Sequence, residues 1–339
     1  MAHKRVNGEG TIYRRKDGRY EGAAYLLTTG GTRKRIRVYG QTWQQAHDKL
    51  NAATANAQAG MPVPERQIKL SAYLDYWLEQ FVKINLRPKT YEQYEIAVRL
   101  YLKPGLGSRS IGDLSVPMVQ AFLNQLLKEG HSVRKVQIVR TALSAALTRA
   151  QREELVTRNV ARLVELPTWQ RAEIQPWSAD EASRFLRAAE GHPLYPAFVL
   201  LLFYGLRRGE VLGLRWCDVD QMHGALHIRQ QLQRVGRTLT VGPVKTKAGQ
   251  RDLPLLGTVD DALRAYQQLG PAARVSHVEG TKNADEYGLV FTTDVGTPIE
   301  PRNFVRSFWR ICNANGIRVI KLHHLRHTTA TLLKNLGVP

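Results

Sequence analysis

Cysteine is scarce. The 339 residues hold two, Cys217 and Cys312, each inside an apolar stretch. With no Cys-x-x-Cys pair and no His/Cys cluster, a zinc finger is excluded and a disulfide scaffold is disfavoured. Acidic residues are outnumbered, 29 Asp and Glu against 49 Lys and Arg. They form no cluster of metal-binding spacing, so no metal site is expected. Long apolar runs are missing too, and none approaches the roughly 20 residues that cross a bilayer. The opening MAHKRVNGEG has no apolar signal core, so the expectation is a cytoplasmic chain without a membrane partner. Internal repeats and low-complexity tracts are absent.

What the chain has in excess is positive charge. The formal net charge is +20, and a chain this basic attracts polyanions, so DNA or RNA is the expected partner. The excess is not a tail: residues 1–60, 61–170 and 171–339 are net basic by 7, 6 and 7. Every domain is therefore expected to face nucleic acid. The 43% hydrophobic content is that of an ordinary globular protein, and the length suffices for two or three domains with their own cores.

Residues 10–40 read as a small three-stranded sheet. Asp17-Gly18 between alternating runs marks a hairpin, and Thr29-Gly30-Gly31-Thr32 supplies the second turn. In the third run Arg33, Arg35 and Arg37 alternate with Lys34, Ile36 and Val38, which puts three guanidinium groups on one face. Thr42-x-x-Gln45 reads as a capping box opening a helix to about Asn56, with Trp43 and Leu50 toward the sheet. A sheet with a basic face backed by a helix suits a DNA groove; a solvated charged face is the plainer alternative. The Gly and Pro residues of 57–67 read as a linker.

Residues 68–160 read as all-helical. Leu74, Trp77, Leu78 and Phe81 form one stripe. Pro88 with Thr90-x-x-Gln93 starts a second helix that turns Ile96 and Leu100 inward and ends at Pro104-Gly105. A third, from Pro117, carries Met118, Val119, Phe122, Leu123, Leu126 and Leu127 to Gly130. A fourth, from Ser132 to about Glu153, carries Val136, Val139, Leu143 and Leu147. The stripes are core; Lys89, Arg134, Lys135 and Arg140 are the candidates to grip DNA phosphates.

The third region is mixed α+β. Ser178-x-x-Glu181 opens it as a capping box, and Pro196 starts an apolar helix over 197–204. Arg207 follows at an element boundary, with Glu210 one helical turn on and able to hold it by a charge-assisted bond. VGPVKTKAGQRDLPL, 241–255, reads as two β-runs joined by a turn near Lys245. A helix is expected from about Asp260, a polar loop over 270–288, and an amphipathic helix with Phe304, Val305, Phe308, Trp309 and Cys312. His323 and Arg326 share one-turn spacing. Each feature has an ordinary reading by itself: a surface salt bridge, a charged hairpin tip, a helix-start histidine pair. Taken together, two arginines, a lysine and a histidine suit a phosphodiester, because guanidinium forks bind phosphate oxygens bidentately and stay charged.

The order Gly-Leu-Arg-Arg-Gly-Glu at 205–210, Lys-Thr at 245–246 and His-x-Leu-Arg-His-Thr at 323–328 resembles the tyrosine recombinases, in particular phage and plasmid integrases, over nearly the whole chain. The resemblance implies an arm-binding domain of sheet and helix (1–60), a helical core-binding domain (68–160) and a catalytic domain (174–339). It implies that Arg207 and Arg326 bind the phosphate, Lys245 protonates the departing 5′ oxygen, His323 assists proton transfer and Glu210 steadies Arg207. No cofactor or metal is implied. The implied partners are double-stranded DNA at arm and core sites and, on paired sites, a homotetramer. The resemblance leaves room for a directionality factor or a host DNA-bending protein.

Two departures stand out. His324 takes the place of the family's usual aspartate. The family's nucleophilic tyrosine follows a Leu-Gly-His segment beyond the second arginine, whereas the last tyrosine here is Tyr287. The expectation is an integrase lacking its last piece and unable to cleave. Its rivals are a non-catalytic DNA-binding regulator derived from an integrase and a type IB topoisomerase-like enzyme.

Overall fold

The computed structural model describes residues 10–27, 33–58, 68–168, 173–244, 246–268 and 288–337. The expectations for the turn at 29–32, the linker from 59, Lys245 and most of the 270–288 loop lie outside the described residues. The chain forms two compact units, Met1–Gln170 and Arg171–Pro339.

In the first unit, β1 (Thr11–Arg14), β2 (Tyr20–Leu27) and β3 (Arg33–Gly40) form an antiparallel sheet in that order. Strand alternation sends Ile12, Ala24, Leu26, Ile36 and Val38 toward Leu50, Ala53 and Ala57 of α1 (Trp43–Gln58). Arg33, Arg35 and Arg37 are exposed, as the alternation requires. Thr42 Oγ1 accepts from the Gln45 N–H, while the Gln45 side chain reaches back to the N–H of Gln41, one residue earlier than expected. Trp43 is not a core residue. It is 48% exposed and stacks on His47, because the packed face of α1 is the apolar stripe through Ala46 and Leu50.

The helical part of this unit has its own core. α2 (Leu70–Trp77) passes through a π-helical turn, Leu78–Val82, into α3 (Lys83–Asn85). α4 (Pro88–Ala97) passes through a second, Val98–Leu102, into α5 (Lys103–Leu106). The run ends at Leu106, one residue past the expected stop at Pro104-Gly105. In the π turn the Lys103 N–H bonds to Val98 O, a widened ladder that accommodates the proline that follows. The buried stripe is Ala97, Val98, Leu102 and Leu106, and Ile96 and Leu100 face outward. Thr90 does not cap α4; its N–H already bonds to Arg87 O inside the first turn set by Pro88.

α6 (Val116–Lys128) is capped by Ser115 and α7 (Val133–Arg152) by Ser132. Val136, Val139, Leu143 and Leu147 are buried as their spacing predicts, whereas Met118 is exposed.

The second unit is built around α9 (Tyr195–Tyr204), whose residues from Pro196 to Leu202 are all buried; a helix apolar all round belongs inside. α8 (Ala179–Ala189) starts with the expected capping box, Ser178 and Glu181 exchanging both bonds. α10 (Arg208–Leu212) follows α9 directly. Next come β4 (Val219–Asp220), β5 (Ala225–Ile228), β6 (Gln230–Val235), β7 (Thr238–Pro243) and β8 (Arg251–Pro254). β4-β5-β8 form one sheet and β6-β7 another. The two runs of 241–255 are thus not a hairpin with each other: β7 pairs with β6, and β8 pairs with β5.

α11 (Gly257–Gln268) starts three residues before Asp260. α12 (Pro301–Ala314) buries Phe304, Phe308 and Cys312 and leaves Trp309 exposed. α13 (Leu325–Asn335) buries Leu325 and exposes Leu333. Burial pushes the Cys312 thiol up to about 12, which keeps it a packing residue. Cys217 is exposed, outside any core.

Candidate functional site

The arginine site lies wholly within the second unit. α9 ends at Gly205, whose φ of 58° is left-handed, a conformation open to glycine at little cost. The reversal sends the chain into Arg207, which has extended backbone and precedes α10. Gly213 at the far end of α10 lets it lie against β6, since a Cβ there would sit 2.7 Å from Gln231 Cα and Leu232 N.

Glu210 is 1% exposed. A carboxylate so buried needs full pairing, and it has it. Oε1 accepts from Arg207 Nη1 at 2.7 Å, and Oε2 accepts from the Arg207 backbone N–H and from Arg251 Nη2, both at 3.0 Å. Burial alone raises the Glu210 pKa; the hydrogen bonds from Arg207 and Arg251 outweigh it and the net shift is downward. The expected link between Arg207 and Glu210 is therefore present. Arg208, its neighbour, turns elsewhere, its guanidinium reaching Pro301 O.

Arg326 approaches from α13. Its Nη1 donates to Gly205 O at 2.8 Å, which fixes α13 to the end of α9. Burial, then the charges of Arg207 and Arg251, lower the Arg326 pKa, while Glu210 opposes them. His323 stands one turn before Arg326. Its pKa is lowered by desolvation first, then by His327, Arg326, His324 and Arg207, so the imidazole is biased toward its neutral form. His327 meets the His323 ring edge-on at 5.8 Å between centroids. The structure thus brings together Arg207, Glu210, His323 and Arg326, four of the five residues singled out for this site. Lys245, the fifth, lies outside the described residues. Two guanidinium groups bonded to one carboxylate, with Arg326 near enough to feel all three charges, leave a local positive excess suited to an anion with several oxygens.

Arg251 is the member that sequence reasoning passes over. It lies 41 residues from Glu210, and in the linear order it is one more charge of a hairpin tip. The signal that could have found it is its place at the start of a short strand directly after the Lys245 segment.

The Tyr204 hydroxyl is engaged twice, donating to Pro254 O at 2.7 Å and accepting from the Leu256 N–H at 3.0 Å. Burial raises its pKa, and its role is to tie α9 to the chain after β8.

The other basic candidates divide. Arg33, Arg35 and Arg37 line the outer face of β3, Arg37 lying 3.5 Å from the buried Glu21. Lys89 pairs with Glu92 at 2.5 Å. Arg134 and Lys135 are exposed in the first turn of α7. Arg140 is occupied differently: it donates to Ala161 O and Arg162 O, holding the turn at 160–162. With Arg149, Arg152 and Arg162 it lines an open groove of about 400 Å³, and helical spacing does not single out those three arginines. Among the described residues, no group of three or more His, Cys, Asp or Glu is placed to hold a metal ion. No helix among them is long and apolar enough to cross a membrane.

Comparison with known proteins assigns the class. Residues 177–339 match the phage integrase family, and residues 69–127 match the phage integrase N-terminal SAM-like domain. The chain belongs to this family, the tyrosine recombinases, whose reaction is site-specific cutting and rejoining of DNA.

Among individual relatives, it is 27% identical over 322 residues to a protein of Caldanaerobacter subterraneus subsp. tengcongensis named tyrosine recombinase XerC-like, covering 90% of this chain and 82% of that one. It is 28% identical over 351 residues to an integrase of Streptomyces ambofaciens, covering 100% and 88%. Of solved structures, the Tn1549 transposon integrase in complex with a circular intermediate DNA superposes with a TM-score of 0.68 at 20% identity, over 80% of this chain and 88% of that one. A lambda integrase tetramer bound to a Holliday junction gives 0.57 at 19%, over 98% and 90%. These likenesses establish the fold: a small three-stranded sheet, a helical region and a mixed α+β region of the tyrosine recombinase type.

Proposed function

We propose that this chain acts in integrating or excising a phage or mobile element, with residues 1–60 on arm-type DNA sites, 68–160 on the core site and 174–339 holding the scissile phosphate. The observation that carries the reading is that Arg207, held by the buried Glu210 carboxylate, has Arg326, tied to Gly205 O, and His323 close enough to feel its charge.

In the reaction, a tyrosine oxygen attacks phosphorus, the bond to the 5′ oxygen breaks, and a 3′-phosphotyrosyl link conserves the energy for rejoining. Arg207 and Arg326 hold the non-bridging oxygens as negative charge accumulates; removing one such preorganised donor costs on the order of a hundred-fold in rate. Lys245, as the ammonium, gives its proton to the leaving 5′ oxygen. His323, biased toward neutrality, is the imidazole that can accept a proton at the site. No tyrosine follows Tyr287 and Tyr204 is engaged elsewhere, so in this reading residues 1–339 bind and polarise the phosphate but do not themselves place the family's nucleophile. The DNA-bound relatives support double-stranded DNA as partner, and the tetrameric one supports a homotetramer on paired sites.

The test incubates the protein with nicked duplexes carrying the element's end sequences. A covalent adduct at a 3′ phosphate establishes a nucleophile within the chain. Site-specific binding without an adduct supports the proposal, with the chain serving as a DNA-binding regulator when alone. Relaxation of any supercoiled plasmid identifies a topoisomerase-like enzyme and contradicts it.

A further inference from the structure

We infer that Arg251 is a positioning residue of the phosphate site: it bridges the buried Glu210 carboxylate and the 246–249 turn, and so leaves the charge of Arg207 available to the phosphate. The inference rests on the proposed function, in which Arg207 is a phosphate ligand.

The geometry begins with charge. A carboxylate paired with a single arginine makes a neutral couple, and an arginine so neutralised attracts phosphate weakly. Here Glu210 has two arginines. Arg251 Nη2 donates to Oε2, the oxygen that also accepts the Arg207 backbone N–H, while Oε1 is left to the Arg207 side chain. The three groups carry a net charge of one positive, and the buried carboxylate is satisfied without drawing further on the Arg207 fork.

Arg251 is itself held from two sides. Its backbone is fixed in β8 opposite Ile228 of β5, and its Nη1 donates to Gly249 O at 2.9 Å. Gly249 closes the turn that begins at Thr246, its N–H bonding to Thr246 O at 2.9 Å. One guanidinium therefore joins the segment next to Lys245 to the carboxylate that orients Arg207. Two directed bonds from one planar group are what a lysine cannot reproduce.

The test uses the 339-residue chain and arginine side-chain NMR, following the Arg207 Nε–Hε signal, assigned by Arg207→Lys, during titration with inorganic phosphate. In the unchanged chain the signal is resolved and shifts with phosphate. With Arg251→Met the expected result is a signal averaged toward that of solvent arginines and a phosphate affinity lower by on the order of tenfold. Arg251→Lys, which restores charge but not the bridge, recovers only part of the loss. In a Glu210→Gln background, Arg251→Met adds no further loss, because it acts through Glu210; circular dichroism melts of each variant establish that it is folded. An Arg207 signal and phosphate affinity unchanged by Arg251→Met, or losses that simply add across the two substitutions, overturn the inference. If phosphate moves neither Arg207 nor Arg326 in the unchanged chain, the proposed function fails, and the Arg207 signal without phosphate still decides whether Arg251 orders it.

Discussion

Arg326 and Gly205 lie 121 residues apart, yet the Arg326 guanidinium donates to the Gly205 carbonyl at 2.8 Å. This bond joins the helix that carries the second arginine to the reversal that delivers the first. Two distant segments thereby present their guanidinium groups at one place, and several consequences can be measured.

Gly205→Ala puts a side chain on a left-handed residue. The space is adequate, with Arg326 Cγ and Thr329 Cβ at 3.4 Å from the added carbon, so the cost is the backbone conformation. The expected destabilisation is about 1–2 kcal/mol, read from urea denaturation.

Thr328→Val leaves the shape nearly unchanged and removes the acceptor of the Trp177 N–H, a bond of 3.0 Å between buried groups. An orphaned buried donor costs about 1–3 kcal/mol. Since Trp177 Nε1 is also bonded to Arg318 O, the loss should loosen the start of the unit, seen as faster amide exchange near residue 177.

His323 is lowered below its usual pKa of 6.5 by desolvation and by His327, Arg326, His324 and Arg207. Between its folded pKa and 6.5 the unfolded chain binds more protons. The contribution of neutral His323 to stability is thus complete above 6.5 and is lost as pH falls through the folded value. His323→Gln should flatten that part of the stability profile on the acid side. His192, lowered by burial and then by Arg310, should keep its own share, so melting series of the two proteins should separate there and converge at about pH 8, where both imidazoles are neutral.

Arg35→Ala with Arg37→Ala removes two exposed charges from the outer face of β3. Binding to an arm-type duplex should weaken and its salt dependence flatten by roughly 0.9 for each phosphate left without its cation, while binding to a core-site duplex stays as it was. An unchanged slope on the arm duplex would remove this face from the interface.

Much of this is legible in the sequence because it is local. The alternation of β3, the capping box at Ser178 and the stripe of α7 each follow from a few neighbouring residues, as does the short span from Arg207 to Glu210. What escapes depends on distance or on departure from regular period. A π-helical turn shifts the buried face of α4 and α5, and a reading at about 3.6 residues per turn mistakes Ile96 and Leu100 for core. β8 pairs with β5, across the intervening β6 and β7, and so Arg251 reaches Glu210 by a route the linear order conceals. Arg140 looks from its helix position like a surface cation, but the carbonyls that occupy it come from residues 161 and 162.

The central claim is that Arg207 and Arg326 together hold a DNA phosphate. The most direct measurement is duplex DNA affinity against salt concentration, for the unchanged chain and for a variant with Arg207→Ala and Arg326→Ala. If both guanidiniums meet phosphates, the slope of log affinity on log salt falls in magnitude by about 1.8, with both proteins folded by circular dichroism. Identical slopes would place the DNA elsewhere and contradict that claim.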